Sequence, residues 1–201
     1  MRDVLTITLN PALDLATEVE QVVANVKLRC AAPRTDPGGG GINVSRAIAL
    51  LGGSSRCLVA LGGLNGQTLA RLLREAGITL IVHEAPGETR SSLSVIDAHT
   101  GEQFRFMLPG PRWSPLDVIA AERAIMAEAR EGGVAVISGT LPPGVLPQVV
   151  PDLCGKLAAR GVEVIVDTSG PALHLLARAE GPAPHVLRMN QEEADDLSGR
   201  T

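Results

Sequence analysis

The 201-residue chain is 45% hydrophobic and 20% charged, with a formal net charge of -4, a makeup that supports a packed core and excludes an intrinsically disordered chain. No block of basic residues accompanies that charge, which argues against nucleic acid or an anionic membrane as the main partner and leaves a small ligand. Cys30, Cys57 and Cys154 are far apart and form no CxxC pair, which disfavours a disulfide framework or a zinc site and fits a reducing cytosol; no stretch resembles a signal peptide or reaches membrane-spanning length, so neither export nor insertion is expected.

Val4 to Leu9 predicts a first strand, closed by Asn10-Pro11. The run Asp36-Pro37-Gly38-Gly39-Gly40-Gly41-Ile42-Asn43-Val44 follows. Glycine reaches φ > 0 without steric cost, and a helix start adds unpaired N–H donors and partial positive charge, so this stretch suits an anion or a sugar hydroxyl. A polyglycine run also serves as a flexible linker, but Val44, Ala47, Ile48 and Leu51 recur at i, i+3, i+4, i+7 and predict a core-facing helix. No Lys-Ser/Thr pair closes the run as in a Walker loop, and no dinucleotide fingerprint stands in the required context.

Arg56 to Leu61 reads as a buried strand, and Leu69, Leu72, Leu73 and Ala76 mark a helix with Arg71, Arg74 and Glu75 on its wet face and Gly77 as its cap. Ile78 to Val82 predicts another strand. Leu93, Val95, Phe104 and Phe106 alternate with Ser92, Ser94 and Arg105 around a turn at Asp97 to Gly101, the pattern of an antiparallel hairpin with one polar face. Ser114-Pro115 supplies an N-cap and first-turn proline for a helix buried through Val118, Ala121, Ile125 and Ala129. Val134 to Ile137 and Val162 to Val166 are β-branched runs of a parallel sheet, separated by a helix from about Gln148 to Arg160. A helix from Pro171 to Ala179, a strand at His185 to Met189 and a helix from Gln191 to Leu197 complete the series. Alternating strands and helices with one antiparallel excursion predict an α/β fold with an appended small sheet. His83, His99, His174 and His185 lack metal-ligand spacing. Asp167-Thr168-Ser169-Gly170 follows a buried strand at the edge where open α/β sheets bind ligands, and equally reads as an ordinary N-cap.

Thr6 to Asp14, Lys27 to Pro33, Pro37 to Val44, Gly101 to Phe106 and Ile137 to Gly144, in that order, resemble the ribokinase-like (PfkB) carbohydrate kinases, within them the branch that phosphorylates fructose 6-phosphate. The resemblance implies a three-layer α/β/α fold with a mostly parallel sheet and a small antiparallel β lid, the lid segments lying near residues 11–36 and 88–108 of a single domain over 1–201. It implies phosphoryl transfer from ATP, with Mg²⁺ masking phosphate charge, to the 1-hydroxyl of the sugar, in a cytoplasmic homodimer joined through the lids.

Asp14, Gly38, Gly39, Gly40 and Asn43 match the set that reads sugar hydroxyls. Arg90, Arg29 and Thr140 match the sugar-phosphate group, where an arginine fork suits phosphate, and Lys27 matches the lysine that reaches the transferring phosphate. Asn190 and Glu193 fit the family's Asn-x-x-Glu element, which arranges Mg²⁺ and nucleotide phosphates; from spacing alone they equally form a capping box. The family's Lys-Pro-Asn is here Arg188-Met189-Asn190, which keeps a cation and loses a rigid proline. Singly, Asp14 is also readable as a turn acid, Lys27 and Arg29 as a solvated face, and Thr140 as a cap.

The Gly-Ala-Gly-Asp segment that supplies the family's catalytic base and anion hole is not found among these residues, so the C-terminal part of the domain is expected to be absent and the chain alone a poor kinase. Kinases of fructose 1-phosphate or tagatose 6-phosphate share most of the motifs. A non-catalytic sugar-phosphate-binding module and a functionless truncated product with an exposed sheet edge stand as the other readings.

Overall fold

The computed structural model describes residues 2–179 and 181–199. Among these, six strands form a parallel sheet in the order β10-β9-β8-β1-β4-β5, namely Val186–Arg188, Glu163–Asp167, Val134–Ser138, Val4–Thr8, Arg56–Leu61 and Thr79–Glu84. Four more form a second sheet in the order β3-β2-β6-β7: Arg34–Gly38, Ala12–Val19, Arg90–Asp97 and Gln103–Met107.

Strand pleat divides the core. Leu5 and Ile7 of β1, Leu58 and Ala60 of β4, and Ala135 and Ile137 of β8 face one buried cluster with Ala121 and Ile125 of α3 (Pro115–Glu128) and Leu153 and Leu157 of α4 (Val149–Ala158). Cys57, Val59 and Leu61 of β4 face the other side, against Ile42 of α1 (Gly40–Leu50) and Leu69 and Leu73 of α2 (Gly63–Glu75). Helices therefore cover both faces of the parallel sheet, as the alternating pattern predicts. α5 (Gly170–Ala177) packs on α4, and α6 (Gln191–Ser198) on α5. No helix among the described residues is long and apolar enough to cross a membrane.

Ser114 caps α3 in a full capping box with Asp117, and Gly77 takes φ 72° after α2, both as the sequence indicates. The face of α1 differs from expectation: Gly41, Ile42 and Ser45 are buried, whereas Leu51 is 88% exposed and Ala47 is exposed. The cause is proximity. A Cβ on Gly41 would lie 2.7 Å from the Ile7 carbonyl oxygen, so α1 turns its side-chain-free stripe to the sheet and the apolar stripe slides to the flank.

The smaller sheet contains the expected hairpin, β6 and β7, paired antiparallel. It also contains β2, which pairs parallel to β6, and edge strand β3, whose Pro37 is tolerated because it lies at a sheet edge.

Candidate functional site

From β1 the chain crosses to β4 on one side, and from β8 to β9 on the other. The gap beyond the carboxyl ends of β1 and β8 is thus the topological switch point, the usual ligand crevice of an open α/β sheet. Asn10 follows β1 and Thr140 follows β8. The Asn10 side-chain amide donates to Thr140 Oγ1 at 3.0 Å and to the Leu141 carbonyl at 3.3 Å. Arg90, the first residue of β6, donates through Nε to the Asn10 carbonyl at 3.3 Å and through Nη1 to the Leu108 carbonyl at 3.4 Å. Burial pulls the Arg90 guanidinium below its ordinary value, and the negative charge of Asp14 opposes that shift.

Asp14 lies on β2 opposite Ser92 of β6 and Asp36 of β3. Ser92 Oγ is hydrogen-bonded to Asp14 Oδ1. Because paired and alternate residues share a face, Asp14, Arg90, Ser92, Ser94, Arg105 and Gly38 all fall on one side of this sheet. Asp14, Ser92, Ser94 and Arg105, with Asp36, border a hollow of about 220 Å³ on that side. Ser92 and Arg105 were legible as the polar half of an alternation, though not as site residues.

The glycine run fits against this group by subtraction. A Cβ on Gly38 would stand 2.1 Å from Asp14 Oδ2, and one on Gly40 would stand 2.1 Å from Ser138 Oγ and 2.8 Å from its carbonyl carbon. Gly39, at φ 145°, is the N-cap of α1 and offers no side-chain cap; Thr8 Oγ1 accepts from the Ile42 amide at 3.2 Å, and the Gly40 and Gly41 amides are left to an anion or hydroxyl at this helix start. Asn43 stands exposed one turn along.

Beside Gly40 and Thr140 lies a second cleft of about 200 Å³, reached by Asp167, Thr168, Arg188 and Glu193. Ser138 Oγ donates to Asp167 Oδ2 at 3.0 Å, and Arg188 Nη1 donates to Asp167 Oδ1 at 3.1 Å. The Gly139 amide donates to the Asp167 carbonyl at 2.9 Å, which ties the ends of β8 and β9 together. Asp167 and Ser138 are central groups here that the sequence reading did not single out as site residues, although Asp167 opens the stretch at the ligand-binding sheet edge and Ser138 lies within the Ile137 to Gly144 stretch. Asn190 and Glu193 form the capping box, with Asn190 N–H to Glu193 Oε2 at 2.8 Å and Glu193 N–H to Asn190 Oδ1 at 2.8 Å, while Glu193 still borders the cleft.

Lys27 and Arg29 are the members of the predicted set that stand apart. Both lie exposed on the loop between β2 and β3, and no hydrogen bond or ion pair joins either to Asp14 or Arg90 among the described residues. The loop is pinned at its ends by Val22 N–H to Asp97 Oδ2 at 2.8 Å and by Thr17 Oγ1 to the Ala31 carbonyl at 2.8 Å.

The chain is 40% identical over 197 residues to ATP-dependent 6-phosphofructokinase isozyme 2 of Escherichia coli, covering 98% of this chain and 63% of that protein. It is 41% identical over 173 residues to the protein of the same name from Mycobacterium tuberculosis, covering 85% of this chain and 50% of that one. The structure of Escherichia coli phosphofructokinase-2 in complex with fructose 6-phosphate superposes with a TM-score of 0.91 at 39% identity, covering 100% of this chain and 65% of the other. The chain therefore spans half to about two thirds of the length of these relatives. The description "pfkB family carbohydrate kinase" matches residues 7–201, and the chain belongs to that family.

Proposed function

We propose that this chain carries the sugar-phosphate-binding and lid portion of an ATP-dependent kinase that phosphorylates fructose 6-phosphate on its 1-hydroxyl. One observation carries the reading: Asp14, held by Ser92 over the space left by Gly38, shares a sheet face with Arg90, and Arg90 is tied through Asn10 to Thr140 at the switch point. A carboxylate beside bare glycine amides reads hydroxyls, and a guanidinium beside a hydroxyl donor reads a phosphate. Gly39, Gly40 and Asn43 extend the hydroxyl-reading side.

Asp167 and Glu193 offer carboxylate oxygens to a hard cation that keeps several waters, so the donor chemistry of the second cleft fits Mg²⁺ with nucleotide phosphates, with Arg188 lining it and Asn190 hydrogen-bonded to Glu193 behind it. When bound there, Mg²⁺ neutralises phosphate charge. Lys27 and Arg29 complete the reading on the phosphate side when their loop folds over a ligand. The Gly-Ala-Gly-Asp segment is not among these residues, so the 201-residue polypeptide by itself binds the sugar phosphate and turns it over several powers of ten below the roughly 1–100 s⁻¹ of ordinary kinases. A cytosolic setting belongs to the same reading, as does a homodimer built on the apolar lid face, where Leu93 and Phe106 lie opposite one another and 36% and 52% exposed.

Calorimetry with fructose 6-phosphate, beside an assay of ATP consumption, tests the proposal: binding in the micromolar to millimolar range without ordinary turnover supports it, and no binding sinks it. Relatives named 1-phosphofructokinase, at 32% and 30% identity, favour a second substrate reading. A panel of fructose 1-phosphate, fructose 6-phosphate and tagatose 6-phosphate ranks the alternatives by affinity.

A further inference from the structure

Asn10 is the residue on which the two halves of the site converge. It sits where the chain leaves the parallel sheet for the lid, between β1 and β2. Its main-chain carbonyl holds Arg90, from the lid, and its side-chain amide holds Thr140, from the end of β8. Gly110, on the path from β7 back to the main sheet, closes over it: a Cβ there would stand 2.3 Å from Asn10 Oδ1.

We infer that Asn10 is a positioning residue that sets the donor polarity of the phosphate subsite. The inference rests on the sugar-phosphate reading above and deepens it. A threonine hydroxyl has one proton and two lone pairs. Asn10 Nδ2 can only donate, so it occupies a Thr140 Oγ1 lone pair and leaves the hydroxyl proton for an anion. Arg90 is treated alike: with Nε committed to the Asn10 carbonyl and one Nη1 hydrogen to Leu108, its Nη2 hydrogens stay uncommitted for a phosphate oxygen. Without Asn10, Thr140 is free to present a lone pair to the phosphate, and the lid loses its side-chain tie to β8.

Asn10→Asp tests the polarity at constant size. The carboxylate accepts from Thr140, turning its proton inward, and adds a negative charge near the phosphate. Asn10→Ala removes the amide, and Thr140→Val removes its target. Fructose 6-phosphate affinity is measured by calorimetry on the 201-residue chain, with the melting temperature of each variant recorded. The expected result is a loss of about tenfold for Asn10→Ala, a larger loss for Asn10→Asp, and a double variant Asn10→Ala/Thr140→Val no weaker than the worse single one, the non-additivity that marks a shared interaction. A purely structural role gives losses that multiply or that follow melting temperature instead. Unchanged affinity in Asn10→Ala, or multiplying losses, overturns the inference alone while the wild type still binds. A wild-type chain that does not bind fructose 6-phosphate overturns the functional reading and this inference together. Should Asn10→Ala not fold, Asn10→Ser, whose hydroxyl is too short to reach Thr140, takes its place in the cycle.

Discussion

Gly38 makes room for Asp14. A Cβ at Gly38 would stand 2.1 Å from one Asp14 oxygen and 2.7 Å from the other, so the bare backbone of edge strand β3 lets the carboxylate lie between the strands and meet Ser92. The obstruction falls on the far end of a side chain that can rotate, so the damage is to the site and not to the fold. Gly38→Ala should shift the melting temperature by no more than a few degrees and weaken fructose 6-phosphate binding by roughly tenfold or more, since hydrogen bonds to a charged group are worth about 1.5–3 kcal/mol. Intact binding in this variant would remove Asp14 from the hydroxyl-reading set.

Gly41 behaves oppositely. There a Cβ meets Thr8 Oγ1 at 2.7 Å and, also at 2.7 Å, the Ile7 carbonyl oxygen, a main-chain atom of the central strand that cannot turn aside. Gly41→Ala should force α1 off the sheet, at a cost of about 1–3 kcal/mol for overpacking, seen as a fall of several degrees in the melting temperature. A variant as stable as the wild type would mean that α1 is free to shift.

These two neighbours show how much of the fold and site the sequence makes legible. Signals confined to a few residues read true: the Ser114-Pro115 cap, the β-branched runs of β8 and β9, and the alternation from Ser92 to Phe106. Features that depend on a distant partner did not. β3 contains Pro37 and Gly38, poor strand formers that become a strand only by pairing with β2. The stripe through Leu51 looked like a core face because spacing cannot report that Gly41 must touch β1. Asn10 and Thr140 are 130 positions apart, and Ser138 and Asp167 are 29 apart; only the crossing of the strands brings each pair together. The resemblance named Asp14, Arg90 and Thr140 without stating what holds them.

At the opposite end of the sheet, Arg56 holds Asp3 through a two-pronged contact at 2.6 and 3.1 Å and reaches Glu128 Oε2 at 2.6 Å. The hydrogen bond from Arg56 keeps the Asp3 carboxyl below its ordinary range despite the opposing effect of burial. The folded chain therefore binds this proton less readily than the unfolded chain. Its stabilising contribution is present above the unfolded carboxyl value near 4 and is lost as pH falls through the folded one. Arg56→Met should destabilise by about 2 kcal/mol at neutral pH and flatten the acid limb of the stability curve below about pH 4; an unchanged acid limb would show that Asp3 does not drive it.

The face of the small sheet away from Asp14 carries a row of large apolar residues. Leu15, Leu93 and Phe106 form one cross-strand row, and Phe106 remains 52% exposed. On the homodimer reading, that row packs against its copy, and a stable interface of about 800 Å² per partner would have it near the centre. Phe106→Glu should convert a dimer to a monomer in sedimentation without lowering the melting temperature of the parallel sheet. A wild-type monomer, or a dimer indifferent to the charge, would place the contact elsewhere.

Asn190 and Glu193 do double duty in the proposed reading, and their chemistry allows the two duties to be separated. The capping box needs an acceptor at Glu193, which glutamine also supplies, whereas a cation needs the carboxylate charge. Glu193→Gln should therefore keep the melting temperature within about a degree and weaken Mg²⁺-dependent nucleotide binding severalfold. Asn190→Ala removes the cap of α6 and should cost about 1 kcal/mol, read most directly as faster amide exchange in residues 191–198. If Glu193→Gln leaves Mg²⁺-nucleotide binding untouched while Asn190→Ala loosens α6, the pair is a helix cap alone, and the cation must rely on Asp167 across the cleft.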